Sequence, residues 1–287
     1  MDSAPVFRPT SQTGRNVFLF ALWLAVFWPV YPELVSTWLQ HSNNTHGILV
    51  PFISLFLIWH KKTELKRAVK EPSRLGGCIV VLALCLYLLG LVGQMAVLTR
   101  VMIIVSLIGL VWFNYGPATL KVLLFPLLFL FFMVPIPVSV YAMVSQPLQL
   151  FASEASQAAI DMLGIPVYRE GNMLFFVQTQ LEVAEACSGI RSLMAFTMLA
   201  VLLAYLADGP LWRRLVLVAA ACPLAIVANI LRVSGTGILA HFYGDQVARG
   251  FLHELSGILL FAFGFACLYA LYSLFAEKHS ESDHKSI

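Results

Sequence analysis

Long apolar runs most strongly limit what this chain can fold into. Eight stretches are apolar and long enough to cross about 30 Å of hydrocarbon: residues 17–38, 46–60, 75–95, 97–114, 118–138, 189–207, 212–231 and 254–275. The first is interrupted by prolines and the second is short. With 60% hydrophobic and 11% charged residues, the composition excludes an ordinary soluble domain. The sequence therefore predicts an all-α polytopic membrane protein with about eight transmembrane helices.

Lysines and arginines set the expected orientation, because they gather in cytoplasmic loops. They cluster in "HKKTELKRAVKEPSR" after the second run, in "DGPLWRR" after the sixth and in "EKH" after the eighth. Eight spans put these clusters and both termini in the cytoplasm, and we expect no cleaved signal peptide. The expected organisation is a cytoplasmic tail, one integral-membrane domain and a second cytoplasmic tail, at residues 1–16, 17–276 and 277–287.

The external connection 139–188 contains one further helical pattern. Apolar residues from Val140 to Met162 recur at steps of three or four, and polar residues from Ser145 to Asp161 occupy another face. The pattern fits a helix lying in the membrane interface, or a polar-faced span inside a bundle. A ninth span would move Arg213 and Arg214 outside, so we expect an external interfacial helix.

A strand pattern follows it. Phe175, Val177, Leu181 and Val183 alternate with Gln178, Gln180 and Glu182, and Glu170-Gly171-Asn172 forms a turn signal. This spacing predicts a small β-hairpin just before the sixth span.

The hairpin leads into "VAEACSGIRS", which contains Cys187. The other four cysteines lie in apolar runs, where cysteine acts as a small buried hydrophobe. Cys187 is the only one expected on the outward, oxidising side, where it has no intramolecular disulfide partner. It is either a small residue at a helix start or a nucleophile whose thiolate is favoured by the helix N-terminus and a nearby cation.

Two other outward span ends carry partners for such a thiolate. Arg232 in "ANILRVSG" closes the seventh span and His253 in "GFLHELSG" opens the eighth. An imidazole can carry the thiol proton to a leaving amine. A guanidinium can donate hydrogen bonds to an oxyanion or a substrate carboxylate. The alternatives are a snorkelling arginine and an interfacial histidine.

Weaker candidates are also expected on the outer side. Arg191 follows Cys187 by four residues, Glu185 can pair with Arg191 or Arg232, and His46 opens the second span. These three residues are the weaker candidates for substrate binding. For each of them, a structural or loop role is slightly preferred. For His241 and Asp245 in the last external loop, a structural or loop role is preferred.

The motifs "THGILVP", "EACSGIRSL", "ANILRV" and "GFLHELSGILLF", in this order, resemble the exosortase/archaeosortase family. By that resemblance, Cys187, Arg232 and His253 correspond to the family's proposed catalytic cysteine, arginine and histidine. The resemblance implies a sortase-like cysteine protease or transpeptidase of the bacterial cytoplasmic membrane, with its active site facing outward. Its implied substrates are secreted proteins that end in a motif such as Pro-Glu-Pro, a transmembrane helix and a basic cluster. In bacteria this signal is associated with exopolysaccharide production.

The expected partners are these substrate proteins, membrane lipids and an acceptor nucleophile. No cofactor or metal is expected, and a net charge of +3 does not suggest a nucleic-acid partner. A zinc protease built on His41, His46, His241 and His253 is disfavoured because "HELSG" lacks the second histidine of HExxH. A phosphatase resembling the phosphatidate enzymes is disfavoured because no "PSGH" motif accompanies "LRVSGTGILAHFYGD". The non-enzymatic alternative, a transporter or assembly subunit for polysaccharide export, would bury charges along its spans.

Overall fold

The computed structural model describes residues 10–177, 179–183, 189–207, 209–244 and 251–284; the side chains at 10–13, 42, 251–256 and 276–284 lie outside that description. The described chain is mostly helical, with one small sheet. Four of its helices are long and apolar enough to span a membrane, or five if the bent pair Gly14–Val26 and Trp28–Gln40 is one span. The structure confirms a helical membrane protein. By length and hydropathy, however, its described residues contain four or five candidate spans rather than eight. Contacts divide the chain into two compact units, Met1–Pro135 and Ile136–Ile287.

The first unit contains six helices within its described residues. They are α1 (Thr10–Val26), α2 (Tyr31–Gln40), α3 (Leu49–His60), α4 (Lys62–Arg67), α5 (Arg74–Val92) and α6 (Ala96–Phe129), with 3₁₀ turns at Trp28–Val30, Ser42–Ile48 and Leu130–Met133. Between α1 and α2 the chain bends by 47°. The bend coincides with Pro29 and Pro32, which lack the backbone N–H that a continuous helix needs.

Gly116 divides α6 into two legs. Its φ of 82° and ψ of 179° are open essentially to glycine alone. Arg100 in the first leg donates to Thr37 Oγ1 at 3.4 Å, and Met133 beyond the second leg accepts from Trp38 Nε1 at 2.9 Å. An unbroken helix would separate Arg100 from Met133 by about 50 Å. Because Thr37 and Trp38 are neighbours, the chain must fold back at Gly116, between the apolar runs 97–114 and 118–138.

Replacing Gly116 by alanine is expected to destabilise the first unit strongly. A Cβ at Gly116 would collide with the carbonyl oxygen of Glu71, and the backbone strain alone costs roughly 1–3 kcal/mol. Thermal unfolding in detergent should show a clear fall in the midpoint for Gly116→Ala.

Gly235→Ala is the matched control for that measurement. Gly235 lies inside the helix Leu211–Tyr243, and no heavy atom lies within 4 Å of an added Cβ. Because alanine favours helix more than glycine does, this variant should be as stable as the wild type or more so. Equal losses in both variants would contradict a specific role for the reversal at Gly116.

Three of the four described helices in the second unit share one hydrophobic cluster. Its elements are α7 (Val138–Asp161), β1 (Val167–Glu170), β2 (Met173–Phe176), β3 (Gln180–Glu182), α8 (Ile190–Leu206), α9 (Leu211–Tyr243) and α10 (Phe251–His284). Phe196 and Ala200 of α8 pack with Ala221 and Ala225 of α9 and with Leu268 of α10. The alanines allow the helix backbones to approach closely, as is common between membrane helices.

Helix α7 does not have the burial pattern expected of an interfacial helix. It packs lengthwise on α9: Ser156 Oγ donates to the carbonyl of Ile230 at 3.3 Å. The serine face is buried, while apolar side chains of α7 are exposed: Val138, Val140, Met143, Val144, Leu150 and Phe151. A helix lying on the interface would expose its polar face instead. This packing favours the other interpretation, a polar-faced helix inside a bundle, while the placement of α7 relative to the membrane stays a prediction.

The predicted hairpin is present but belongs to a three-stranded antiparallel sheet in the order β1-β2-β3. Glu170 pairs with Met173 across the predicted turn, in which Gly171 has a φ of 60°. The predicted inward face is wrong at Phe175 and Val177, because β2 ends at Phe176 and its neighbours Leu174 and Phe176 are buried. Those two side chains pack in one cluster with Ile160 of α7 and Val233 of α9, and a register change of one residue exchanges the two faces of a strand.

Candidate active site

The start of α8 is pressed against the middle of α9. Gly189 caps α8 with a φ of 81°, and a methyl group there would lie 3.2 Å from Cγ of Asn229. Both the left-handed backbone and the close approach favour glycine at this position. The glycine of "ACSG" therefore fixes where the chain enters α8.

The other end of the same segment is held by the sheet. The N–H of Val183 donates to the carbonyl of Asn172 at 2.9 Å, and Asn172 Nδ2 donates back to the Val183 carbonyl at 3.4 Å. Val183 itself is buried. Cys187 and Glu185 fall between Val183 and Gly189 and lie outside the described residues.

Arg232 lies on α9, three residues after Asn229 and hence on the same side of the helix. Its side chain is half-buried. A methyl group on Gly257 would lie 3.6 Å from Nη2 and 3.7 Å from Cζ of Arg232. The guanidinium therefore rests against α10, at a position where that helix carries no side chain.

His253 is in the first turn of α10, and its side chain lies outside the described residues. Its position precedes Gly257 by four residues, one helical turn along the same side of α10. The structure therefore brings Arg232 to the helix that carries His253.

Arg214 and Arg232 are separated along α9 by about the thickness of a membrane core. From Arg214 to Arg232 the helix rises by about 27 Å, against a hydrocarbon core of about 30 Å. Arg213 Nη1 donates to the carbonyl of Phe275 at 2.9 Å, so the opposite end of the α9–α10 pair is also pinned by an arginine. The contacts of Asn229 and Arg232 thus lie roughly 25 Å along α9 from Arg214.

Asn229 is a site residue that the sequence analysis missed. It is only 4% exposed, and its Oδ1 has no hydrogen-bond partner among the described residues. The sequence does contain a signal for it: Asn229 is an amide inside the apolar run 212–231, three residues before Arg232. A polar group inside a span usually has a function.

Asn229 and Gly189 also line a partly open cavity between α7, α8 and α9. The cavity has a volume of about 30 Å³, room for about two water molecules. The rest of its lining is apolar or weakly polar: Leu148, Phe151, Ala152, Leu193, Cys222, Ala225 and Ile226.

Three of the weaker candidates, Arg191, His46 and His241, have described side chains. Arg191 is half-buried in the first turn of α8. His46 lies in the 3₁₀ turn Ser42–Ile48 of the first unit, where burial lowers the pKa of its imidazole and hydrogen bonds to the backbone of Phe132 and Asn43 oppose that shift. The ring of His241 is tilted by 44° against that of Phe176, with the centroids 6.2 Å apart. Asp245 lies outside the described residues. Among the described side chains, no group of three or more histidine, cysteine or acidic residues is placed to hold a metal.

A buried charge in the first unit was also missed. Arg100 is buried in α6, and its Nη2 lies 3.1 Å from Oε1 of Glu33, whose side chain is 65% exposed. The apolar run 97–114 conceals this arginine, because window averages of hydropathy dilute one charge among many aliphatic residues. The carboxylate partner at the surface offsets part of the cost of burying the guanidinium.

Comparison with known proteins gives one match. The family model described as transmembrane exosortase (Exosortase_EpsH) matches residues 38–270, about four fifths of the chain. No curated protein and no solved structure matches. The matched region includes every contact described around Gly189, Asn229, Arg232 and Gly257.

Proposed function

Because the chain belongs to the transmembrane exosortase family, we propose that this integral membrane protein is a cysteine peptidase or transpeptidase that removes the C-terminal sorting tail of secreted proteins. The proposed tail has a short motif such as Pro-Glu-Pro, an apolar helix and a basic cluster. The observation that carries the proposal is the meeting of α8, α9 and α10 through the Gly189–Asn229 and Arg232–Gly257 contacts.

Short distances along the chain between that meeting point and the three proposed catalytic residues support the proposal. Cys187 precedes Gly189 by two residues, so their Cα atoms can be at most about 7 Å apart. Asn229 and Arg232 are separated by about 5 Å along α9. His253 precedes by one turn the glycine against which the Arg232 guanidinium rests.

The proposed reaction uses Cys187 as nucleophile. Its proton passes to His253, the thiolate forms a bond to the carbonyl carbon at the motif, and the peptide C–N bond breaks. The leaving amine takes the proton and departs with the apolar tail. Water, or an acceptor amine or hydroxyl, then resolves the thioester. Arg232 donates hydrogen bonds to the oxyanion or to a carboxylate of the motif.

We assign the site to the outer boundary of the bacterial cytoplasmic membrane. Arg213 and Arg214 then face the cytoplasm, as positive residues prefer, and both termini are cytoplasmic. A secreted substrate that is still anchored by its apolar tail presents its motif at the same boundary. Confinement to the bilayer raises the effective concentration of each protein for the other.

Substitutions of Gly257 should distinguish an organised guanidinium site from a loose one. Gly257→Ala places a methyl group at ordinary contact distance, 3.6 Å from Arg232 Nη2, and should keep most of the tail processing. Gly257→Leu should displace the guanidinium and slow processing by about 10²-fold. Ala266→Leu adds similar bulk at an exposed position of α10 and should have little effect. Full processing by Gly257→Leu would show that the position of Arg232 is unimportant.

The proposal as a whole is tested by co-expressing the protein with a tagged secreted protein that carries such a tail. Mass spectrometry of the tagged product should show a new C-terminus at the motif. Deletion of the motif from the same reporter should leave it uncut. Identical products with and without the membrane protein would refute the proposed activity.

A further inference from the structure

One edge of the small sheet is open among the described residues. Strands β1 and β3 form the two edges, because β2 lies between them. At the β1 edge, Nε2 of Gln157 on α7 donates to the carbonyl of Val167 at 3.4 Å, so part of that edge is already paired. At the β3 edge, no described residue bonds to the outward backbone groups. The sheet therefore has one partly covered edge and one edge that is free for pairing.

The hydrogen-bond pattern of β3 identifies its outward groups. Just after β3, the N–H of Val183 donates to the carbonyl of Asn172 at 2.9 Å. In an antiparallel pair, residues that exchange hydrogen bonds with the partner strand alternate with residues that do not. Leu181, two residues before Val183, therefore bonds to β2, whereas Gln180 and Glu182 do not. The backbone N–H and C=O groups of Gln180 and Glu182 point away from β2, towards the open edge.

The open edge leads to the proposed nucleophile. Glu182 ends β3 and precedes Cys187 by five residues, so their Cα atoms are at most about 18 Å apart. Gln180 and Glu182 are exposed, whereas Leu181 between them is buried and anchors the strand. A peptide that lies along this edge therefore has its end within a few residues of Cys187.

The substrate must be extended where it is cleaved. Inside an α-helix, each carbonyl accepts an intrahelical hydrogen bond and is surrounded by neighbouring turns. An extended segment instead has unpaired backbone N–H and C=O groups. When such a segment adds as a strand to an exposed sheet edge, these groups are paired and the register of the peptide is fixed.

We propose that the substrate residues before the cleaved bond add as a fourth strand to the open edge of β3, and that this pairing holds the bond beside Cys187. This inference rests on the proposed function, which supplies a motif ahead of an apolar tail. The backbones of Gln180 and Glu182 offer two donors and two acceptors. Because the edge is short, it sets the register of the peptide, while confinement of both proteins to the bilayer supplies most of the binding.

A motif such as Pro-Glu-Pro is compatible with this pairing. In a strand, only alternate residues direct their backbone groups towards a given edge. The glutamate of the motif can present both its N–H and its C=O to β3, while the prolines, which lack an N–H, are at the positions that face away. Proline also favours an extended conformation in the residue before it. The added strand then closes the sheet instead of offering a new edge.

Cysteine crosslinking in membranes tests the pairing directly. Gln180→Cys is introduced into the full-length Cys187→Ala protein, and co-expressed reporters carry one cysteine at successive positions before the motif. Opposing side chains on one face of two paired strands lie close enough to be joined by a disulfide. Disulfides should therefore form at every second reporter position. Placing the cysteine at Glu182 instead of Gln180 should shift this pattern by two reporter positions.

Tyr168→Cys is the matched control for the crosslink. Tyr168 pairs with Phe175, which pairs with Gln180, so Tyr168 and Gln180 lie in one row on the same face of the sheet. Tyr168 would be about 14 Å from a strand added to β3, too far for a disulfide. A disulfide-linked dimer of the Gln180→Cys protein without reporter would assign the edge to a second copy of the chain. That dimer, or crosslinking without a two-residue repeat, would overturn the proposal.

Proline substitution tests the backbone contact itself. Gln180→Pro removes an outward N–H and leaves the hydrogen bonds to β2 in place, and proline is tolerated on edge strands in this orientation. Gln180→Ala is the reference, because it removes the same side chain and keeps the N–H. Processing by Gln180→Pro should be slower than by Gln180→Ala by about three- to tenfold, the effect of one hydrogen bond. Equal rates in the two variants would overturn the proposal.

The outcomes separate this inference from the proposed function. Tail processing by the wild type without the two-residue crosslinking pattern would overturn the strand pairing and leave the activity standing. The two-residue pattern without any processing by the wild type would support the strand pairing and refute the peptidase.

Discussion

Cys187→Ala should leave the sorting tail of a co-expressed reporter uncut, with processing at least about 10³-fold below that of the wild type. The described thiols of the second unit are distant from these contacts along their helices: Cys222 is about 10 Å from Asn229 along α9, and Cys267 is about 15 Å from Gly257 along α10. Loss of the nucleophile removes the covalent step itself, so the expected effect is on the chemical rate rather than on substrate capture. Quantitative blotting of precursor and product measures it directly.

Two further substitutions make that result specific. Cys187→Ser should also be strongly impaired, because a hydroxyl is a much weaker nucleophile than a thiolate at neutral pH. Cys85→Ala removes an exposed thiol of α5 and should process the reporter normally. Wild-type processing by Cys187→Ala, at equal membrane abundance, would mean that the cysteine is only a small residue at a helix start.

Arg232→Lys should lower processing by about 10²- to 10³-fold, the cost of removing one oriented donor from an oxyanion site. Lysine keeps the charge but loses the planar fork that lets a guanidinium make two parallel hydrogen bonds. In the structure that fork rests against the bare face of α10 at Gly257, so its orientation is set by packing. The loss should appear in the rate at saturating reporter expression if Arg232 serves the oxyanion. If Arg232 instead binds the motif, the variant should need more reporter than the wild type to reach its maximal processing rate.

Lysine is the discriminating replacement because a snorkelling arginine can be replaced by lysine without much effect. Arg213→Lys at the opposite end of α9 is the matched control: its single hydrogen bond to the Phe275 carbonyl can be made by an ammonium group. Normal processing by both lysine variants would reduce Arg232 to an interfacial anchor.

Helix positions at the site were largely predictable from the sequence, because spans and charges follow simple physical rules. The ends of the runs 189–207, 212–231 and 254–275, oriented by their positive residues, predicted that Cys187, Arg232 and His253 would lie on one side. That placement stays a prediction; the structure shows that Gly189 meets Asn229 and that Arg232 meets the helix of His253. The structure adds the Gly189–Asn229 and Arg232–Gly257 contacts, which hydrophobic periodicity in the sequence cannot predict.

Which face of an element points inward was harder to predict. The serine face of α7 reads as solvent-facing in a soluble context, yet Ser153 and Ser156 are buried because their hydroxyls donate to backbone carbonyls. In β2, the choice between Phe175 and Phe176 depends on contacts with Ile160 and Val233 on distant helices. Asn229 was overlooked for a related reason: its significance lies in a cavity formed by three separate elements.

The most direct test of the central claim is capture of the acyl-enzyme. Wild-type protein is co-expressed with the tagged reporter, quenched in acid and digested, and the peptides are analysed by mass spectrometry. The account predicts a thioester joining the carboxyl of the reporter's motif to Cys187, released by neutral hydroxylamine and more abundant when the resolving acceptor is limiting. A processed reporter with its adduct on any other residue would contradict it.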